Sequence, residues 1–229
     1  MTRRMIIAID GPSGAGKSTL SRLLARELGL LYVDTGSMYR AAALAVIEAG
    51  VNTTDTRAVA EAVARARIQL EGDPDSLRVS LDGRDVSEAI RAEQVTHVSS
   101  VISAIPEVRR DLVRRQRELG EAGGVVMNGR DTGTVIFPDA DVKFFLTARP
   151  EERARRRYDE ERVREQSLSY DETLADINAR DRRDSTRADS PLAIAADAVV
   201  IDTTDLSVEE VFRHMVEVAR ARAAGRGPA

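Results

Sequence analysis

Five short apolar runs punctuate the chain, at residues 5–9, 30–33, 125–127, 142–146 and 198–202. Each is nearly continuous rather than alternating, the pattern of a strand buried on both faces of a parallel sheet. Between them the period changes. Leu20, Leu23, Leu24 and Leu28 recur three and four apart, as a helix with one buried face requires, and Gly29 ends it. Further helices are expected from Asp34 to about Gly50, over 55–66, near 93–104 and 107–119, and from about Ser207 to Arg222. Pro106 opens the second of the central pair and Gly120 closes it. Strand and helix in alternation predict an α/β, doubly wound five-stranded parallel sheet with helices on both faces.

One stretch breaks this rhythm. Leu77, Val79 and Leu81 alternate with Arg78, Ser80 and Asp82, and Asp82-Gly83 is a hairpin signal. With Ile68-Gln69-Leu70 before it, this reads as a small antiparallel subdomain inserted over 67–96.

Composition narrows the picture. At 229 residues and 42% apolar, the chain is long enough for one core with insertions. A net charge of −4 gives no global basic field, so nucleic acid is not expected as a partner. The absence of cysteine excludes disulfides and thiolate metal sites and agrees with a cytoplasmic location. No run approaches a membrane span, and the N-terminal apolar run is too short for a signal sequence. Nothing demands more than a monomer, and the Ala/Gly/Arg-rich end from Ala221 is expected to fray.

The strongest chemical signal follows the first strand. Gly11-Pro12-Ser13-Gly14-Ala15-Gly16-Lys17-Ser18-Thr19 contains the phosphate-binding pattern G-x-x-x-x-G-K-[ST] between a strand and a helix. Its glycines let backbone N–H groups approach phosphate oxygens, and the helix N-terminus adds unpaired donors. Lys17 is placed to reach the β- and γ-phosphates, and Ser18 to ligate Mg²⁺.

Two arginine clusters, Arg153-Arg155-Arg156-Arg157 and Arg180-Arg182-Arg183-Arg187, repel themselves unless solvent or an anion relieves them. Arginines that close over a transferring phosphoryl group stabilise its charge. A GTPase switch lacks its guanine motif here, because Asn128-Gly129-Arg130-Asp131 has no lysine. A motor ATPase lacks a strand ending in adjacent acids. A small-molecule kinase has all its parts, although the loop alone does not select the reaction.

The motifs Asp34-Thr35-Gly36-Ser37-Met38-Tyr39-Arg40, the run from Gly129 to Pro138, and the run from Arg180 to Ala188 resemble the bacterial cytidylate (CMP) kinases. The likeness covers nearly the whole chain. It implies a nucleoside monophosphate kinase fold with an enlarged acceptor-side insertion and a mobile lid over 151–168. It implies ATP and CMP or dCMP as substrates, with Mg²⁺; another P-loop NTPase or small-molecule kinase is the alternative. Carried over position by position, Lys17, Arg130, Arg156, Arg157 and Arg180 would act on the phosphates. Thr35, Tyr39 and Arg40 would border the acceptor phosphate, and Ser100, Arg109 and Asp131 would read the base. Asp184 would hold the sugar, oriented by Arg187. Asn128 stands where family members often carry an acid, and Ser18 supplies the standard metal-ligating hydroxyl.

Overall fold

The computed structural model describes residues 4–162 and 169–225. All five apolar runs become strands of one parallel sheet: β1 (Ile6–Asp10), β2 (Leu31–Asp34), β6 (Val125–Gly129), β7 (Val142–Thr147) and β8 (Val199–Asp202), in the order β2-β6-β1-β7-β8. β1 lies at the centre. Ile6 to Asp10 pair with Val125 to Gly129 on one side, and Ile7 to Asp10 with Val142 to Phe145 on the other. Every residue of β1, β6 and β1's other neighbour up to Leu146 is buried, which explains the unbroken apolar runs. β8 is an edge strand, and there Val200 is exposed despite the apolar sequence.

Helices cover both faces, as expected of a doubly wound sheet. Ile7 and Ile9 pack with Leu20 and Leu24 of α1 (Lys17–Leu28) and Met215 of α8 (Val208–Ala224). Ile6 and Ala8 face the other way, toward Val113 of α5 (Pro106–Gly120), Ile136 and Phe137. α8 begins after a reciprocal cap in which Ser207 and Glu210 satisfy each other's backbone N–H groups. It runs through Ala224, so the expected fraying from Ala221 does not begin there; residues 226–229 lie outside the described residues.

The antiparallel insertion is present as β3 (Ile68–Glu71), β4 (Arg78–Leu81) and β5 (Arg84–Asp85), turning at Asp82-Gly83. It does not stand apart. Val79, Leu81, Val86 and Ile90 share one apolar cluster with α2 (Thr35–Glu48), α3 (Thr56–Arg65), α4 (Glu93–Ile102) and α5. The expected boundary at 96 therefore falls inside α4. A strip this small lacks the apolar area to fold alone. α6 (Pro150–Arg162) and α7 (Tyr170–Thr186) are joined beside the loop after β1, where Arg153 binds Asp181 and the Ser13 carbonyl, and the remainder of the expected lid, 163–168, lies outside the described residues.

Phe144 sits in β7 against both neighbouring strands and is 1% exposed. Phe144→Ala is expected to lower unfolding free energy by about 3–5 kcal/mol, read by urea denaturation, because it removes a buried ring from a strand paired on both sides and leaves a cavity.

Candidate active site

Parallel strands end at one edge of the sheet, and the chemistry collects there. The loop after β1 turns so tightly that a Cβ on Gly11 would lie 2.0 Å from the Leu146 carbonyl oxygen, at φ +146°. Only glycine fits. Gly11 and Pro12 are buried under the loop and shape it, while Ser13 to Leu20 line a cavity of about 980 Å³. Gly16 is the left-handed residue from which α1 starts.

Lys17 is buried, and its Nζ donates to the Pro12 carbonyl at 2.6 Å. Burial, and then the charge of Arg130, hold its ammonium well below the usual lysine range; Asp10 pulls the other way. Ser18 and Thr19 are exposed at the cavity mouth. The Asn128 carboxamide nitrogen lies 3.5 Å from both Ser18 Oγ and Asp34 Oδ1, and its Oδ1 has no hydrogen-bond partner.

Asp34 closes β2 and caps α2, accepting from Gly36 N at 3.0 Å, Ser37 Oγ at 2.8 Å and Arg40 Nη2 at 3.2 Å. This cap places the helix start at Thr35, so Tyr39 and Arg40 fall in its second turn and point into the cavity. Thr35 donates to the Asn128 carbonyl at 2.9 Å and lines the same wall. Tyr39 has no hydrogen-bond partner for its buried hydroxyl, and burial pushes its pKa up to about 12. The Arg109 guanidinium stacks 5.6 Å from the Tyr39 ring centroid.

The segment after β6 carries the densest charge. Arg130 Nε donates to Asp184 of α7 at 2.7 Å. Asp131 accepts from the buried Arg109, and Arg187 lies 3.8 Å from Asp131 and 3.6 Å from Asp184. Burial opposes the charge on Asp184, but Arg130, Arg180 and Arg187 outweigh it and hold the carboxyl below its ordinary value. Arg180 has no hydrogen-bond or ion-pair partner among the described residues; burial, then Arg130, lower its pKa to about 10. Lys17, Arg40, Arg130, Arg157 and Arg180 thus converge on one cavity.

The remaining arginines divide. Arg109 is the one α5 arginine that enters the site; Arg115 instead binds the Ala66 and Val63 carbonyls at the end of α3, and Arg117 those of Val135 and Ile136. Arg153 belongs to the frame rather than the lid. It is 3% exposed and binds the Ser13 and Ala148 carbonyls and Asp181, which fastens the phosphate loop to α7. Arg156 holds Thr203 through its backbone oxygen at 2.6 Å and its hydroxyl at 3.0 Å, while still lining the cavity with Arg157. Ser100 does not line this cavity; Ser99 and Ser103 do, and Ser100 faces the adjoining cleft between the insertion and α7. On a helix, adjacent residues diverge by about 100°, so only one of Ser99 and Ser100 faces a given wall.

The residue set matches a known family over most of its length. The family model for cytidylate kinase covers residues 7–221. The chain belongs to the cytidylate kinase family. Cytidylate kinases of Solibacter usitatus and Mycobacterium leprae are each 49% identical to it, over 222 and 219 residues; the alignments cover 96% and 95% of this chain and 94% and 96% of theirs. That of Pelotomaculum thermopropionicum is 50% identical over 211 residues, covering 92% of this chain and 93% of its own. The cavity is also lined by Thr203 to Val208, with Leu206 and Val208 exposed. Neither of those two stands out in the sequence, because isolated apolar residues in a loop carry no periodic signal; Asp34 stands there only as the start of a motif and a helix, not as a site residue.

Arg109 is 2% exposed and its charge is met by Asp131 and the Ser103 carbonyl. Removing it leaves a buried carboxylate with the more distant Arg187. Arg109→Met is expected to cost about 3–5 kcal/mol of stability in urea unfolding. Arg110→Met, one residue away and solvent-exposed, is expected to change it by less than about 0.5 kcal/mol.

Proposed function

We propose that the chain transfers the γ-phosphoryl group of ATP to CMP or dCMP, giving ADP and CDP or dCDP. The observation that carries this reading is the convergence of Lys17, Arg40, Arg130, Arg157 and Arg180 on a cavity floored by the phosphate loop, in a cytidylate kinase family chain. Two phosphate-bearing substrates relieve the repulsion of these groups, and the transition state adds charge where they meet.

The donor phosphates lie along Ser13 to Thr19, with the base toward Leu206 and Val208. The acceptor phosphate lies between Arg40, Arg130 and Arg180. Its oxygen attacks the γ-phosphorus as the bond to the β–γ bridging oxygen breaks. A phosphate monoester has a second pKa of about 6, so the attacking oxygen is already ionised at neutral pH and no general base is required. Ser18 Oγ and the Asp34 carboxylate are hard oxygen donors that both lie 3.5 Å from the Asn128 amide nitrogen, and two such donors would suit Mg²⁺ retaining several waters. When bound, the ion would offset the charge of the donor phosphates.

Asp131 and Arg109 face the acceptor base. A carboxylate accepts from the cytosine amino group, and a guanidinium donates to its N3 and O2. Uracil presents O4 and N3–H at those positions and leaves both groups mismatched. Asp131→Ala is expected to lower kcat/KM for CMP relative to UMP by about 1.5–3 kcal/mol, measured with a panel of nucleoside monophosphates and Mg·ATP. An unchanged ratio would remove Asp131 from base recognition. Lys17→Ala is expected to keep the fold, by circular dichroism, and to lose several kcal/mol (about 3–5) of barrier reduction in kcat. Rapid ATP hydrolysis without any monophosphate would instead favour a switch or motor NTPase.

A further inference from the structure

Asp10 is the last residue of β1, immediately before the phosphate loop, and it is 4% exposed. Its carboxylate does not enter the cavity. Oδ1 accepts from Thr132 N at 2.8 Å and Oδ2 from Gly133 N at 2.7 Å. These are the first two N–H groups of the π-helical turn Thr132–Ile136, which follows Asp131 directly. The residue at the cap position of that turn is Asp131 itself. Aspartate is among the most favoured capping residues, and its carboxylate ordinarily accepts from the N–H groups just ahead of it. Here it makes no cap hydrogen bond. It is turned instead to Arg109 and Arg187, in the site.

We propose that Asp10 is a positioning residue of the acceptor site: by capping the Thr132–Ile136 turn from a neighbouring strand, it leaves the Asp131 carboxylate free to read the base. The two residues compete for the Gly133 N–H, because a cap side chain accepts from the second or third N–H of its turn. With Asp10 holding that donor, Asp131 gains less by folding back, and its carboxylate stays with Arg109.

The energetics favour a functional reason for this arrangement. Burial is the main influence on Asp10; with Asp131 it outweighs the two backbone N–H groups and raises the carboxyl from 3.8 to about 6. The folded pKa thus exceeds the unfolded one, so this group's contribution to stability is full below pH 3.8 and is lost as pH rises to about 6. The charged groups around it are Lys17 from α1, Asp131 from the turn's entrance and Lys143 from β7, whose ammonium is taken by the Pro138 carbonyl and Asp197. A buried ion kept at a cost beside a site is a mark of function.

The inference rests on the reading of Asp131 as a base contact, and a double-mutant cycle separates the two. Asp10→Asn replaces one accepting oxygen with an NH₂ group that faces an N–H donor. Asp131 is then expected to swing into the cap. The CMP/UMP ratio of kcat/KM is expected to fall about tenfold, through KM for CMP, while KM for ATP stays near the wild-type value. In an Asp131→Ala background the same Asp10→Asn change is expected to leave the ratio where Asp131→Ala put it. The ratio's dependence on pH near 6 is expected in the wild type and absent in Asp10→Asn. Should Asp10→Asn fail to fold, Asp10→Ser, smaller and with a single acceptor, is read in the same cycle. Equal losses for CMP, UMP and ATP, or additive effects of the two substitutions, would show a purely structural Asp10 and overturn the proposal. If Asp131→Ala alone leaves the CMP/UMP ratio intact, it is the base-contact reading that fails. A ratio that falls with Asp131→Ala but not with Asp10→Asn overturns only the inference about Asp10.

Discussion

Positive charge crowded into a cavity with too few counter-charges is the constraint on which the rest of this structure depends. Lys17 and Arg180 both titrate below their ordinary values, first because they are buried and then because Arg130 stands beside them. Asp10 is the main offset for Lys17 and Asp184 for Arg180, the latter paired to Arg130 and close to Arg187. In a low-dielectric pocket like charges are expensive to gather, and only a rigid frame keeps them together before an anion arrives. On the function proposed above, bound phosphates would relieve this repulsion, and the same crowding would preorganise the site for a transition state rich in negative charge.

The frame is supplied by ordinary packing. β1 is paired on both sides and buried on both faces, so the loop it feeds has a fixed origin. Arg153 then ties that loop to α7 through the Ser13 carbonyl and Asp181. Arg156 ties α6 to the segment after β8 through Thr203. These arginines look like phosphate ligands in the sequence, yet Arg153 is spent wholly on carbonyls and one carboxylate. A guanidinium has five donors in a planar fork, and wherever several backbone oxygens converge it satisfies them better than any neutral side chain. Arg115 at the end of α3 and Arg117 beside the Thr132–Ile136 turn serve the same purpose.

The acceptor side is organised differently. The insertion shares its apolar cluster with α2, α4 and α5, so Tyr39, Arg40 and Arg109 project from helices packed on it. Asp131, Arg187 and Asp184 link Arg109 to Arg130 in one continuous chain of charge. A change at one member is felt by the others, because each carries part of its neighbour's desolvation.

Much of this was legible in the chain itself. Continuous apolar runs identify buried parallel strands because no face of such a strand meets water, and the order strand, helix, strand leaves few topologies. The phosphate loop was legible because its geometry needs glycine where a Cβ would strike the Leu146 carbonyl, and its charge needs Lys17. The edge position of β8 was not, since Val199 to Ile201 read like any interior strand until one side of the sheet is left open. Nor did spacing tell Arg109 from Arg110 and Arg115, or Arg153 from Arg157, although position-by-position likeness to the family singled out Arg109, Arg156 and Arg157. The partners that separate these arginines lie up to 140 residues away in the chain. Local pattern determines which elements form, because their backbone bonds and buried faces are local properties. Which guanidinium meets a carbonyl, which meets a carboxylate and which waits for phosphate depends on groups brought together only when the sheet closes, and tertiary structure alone decides it.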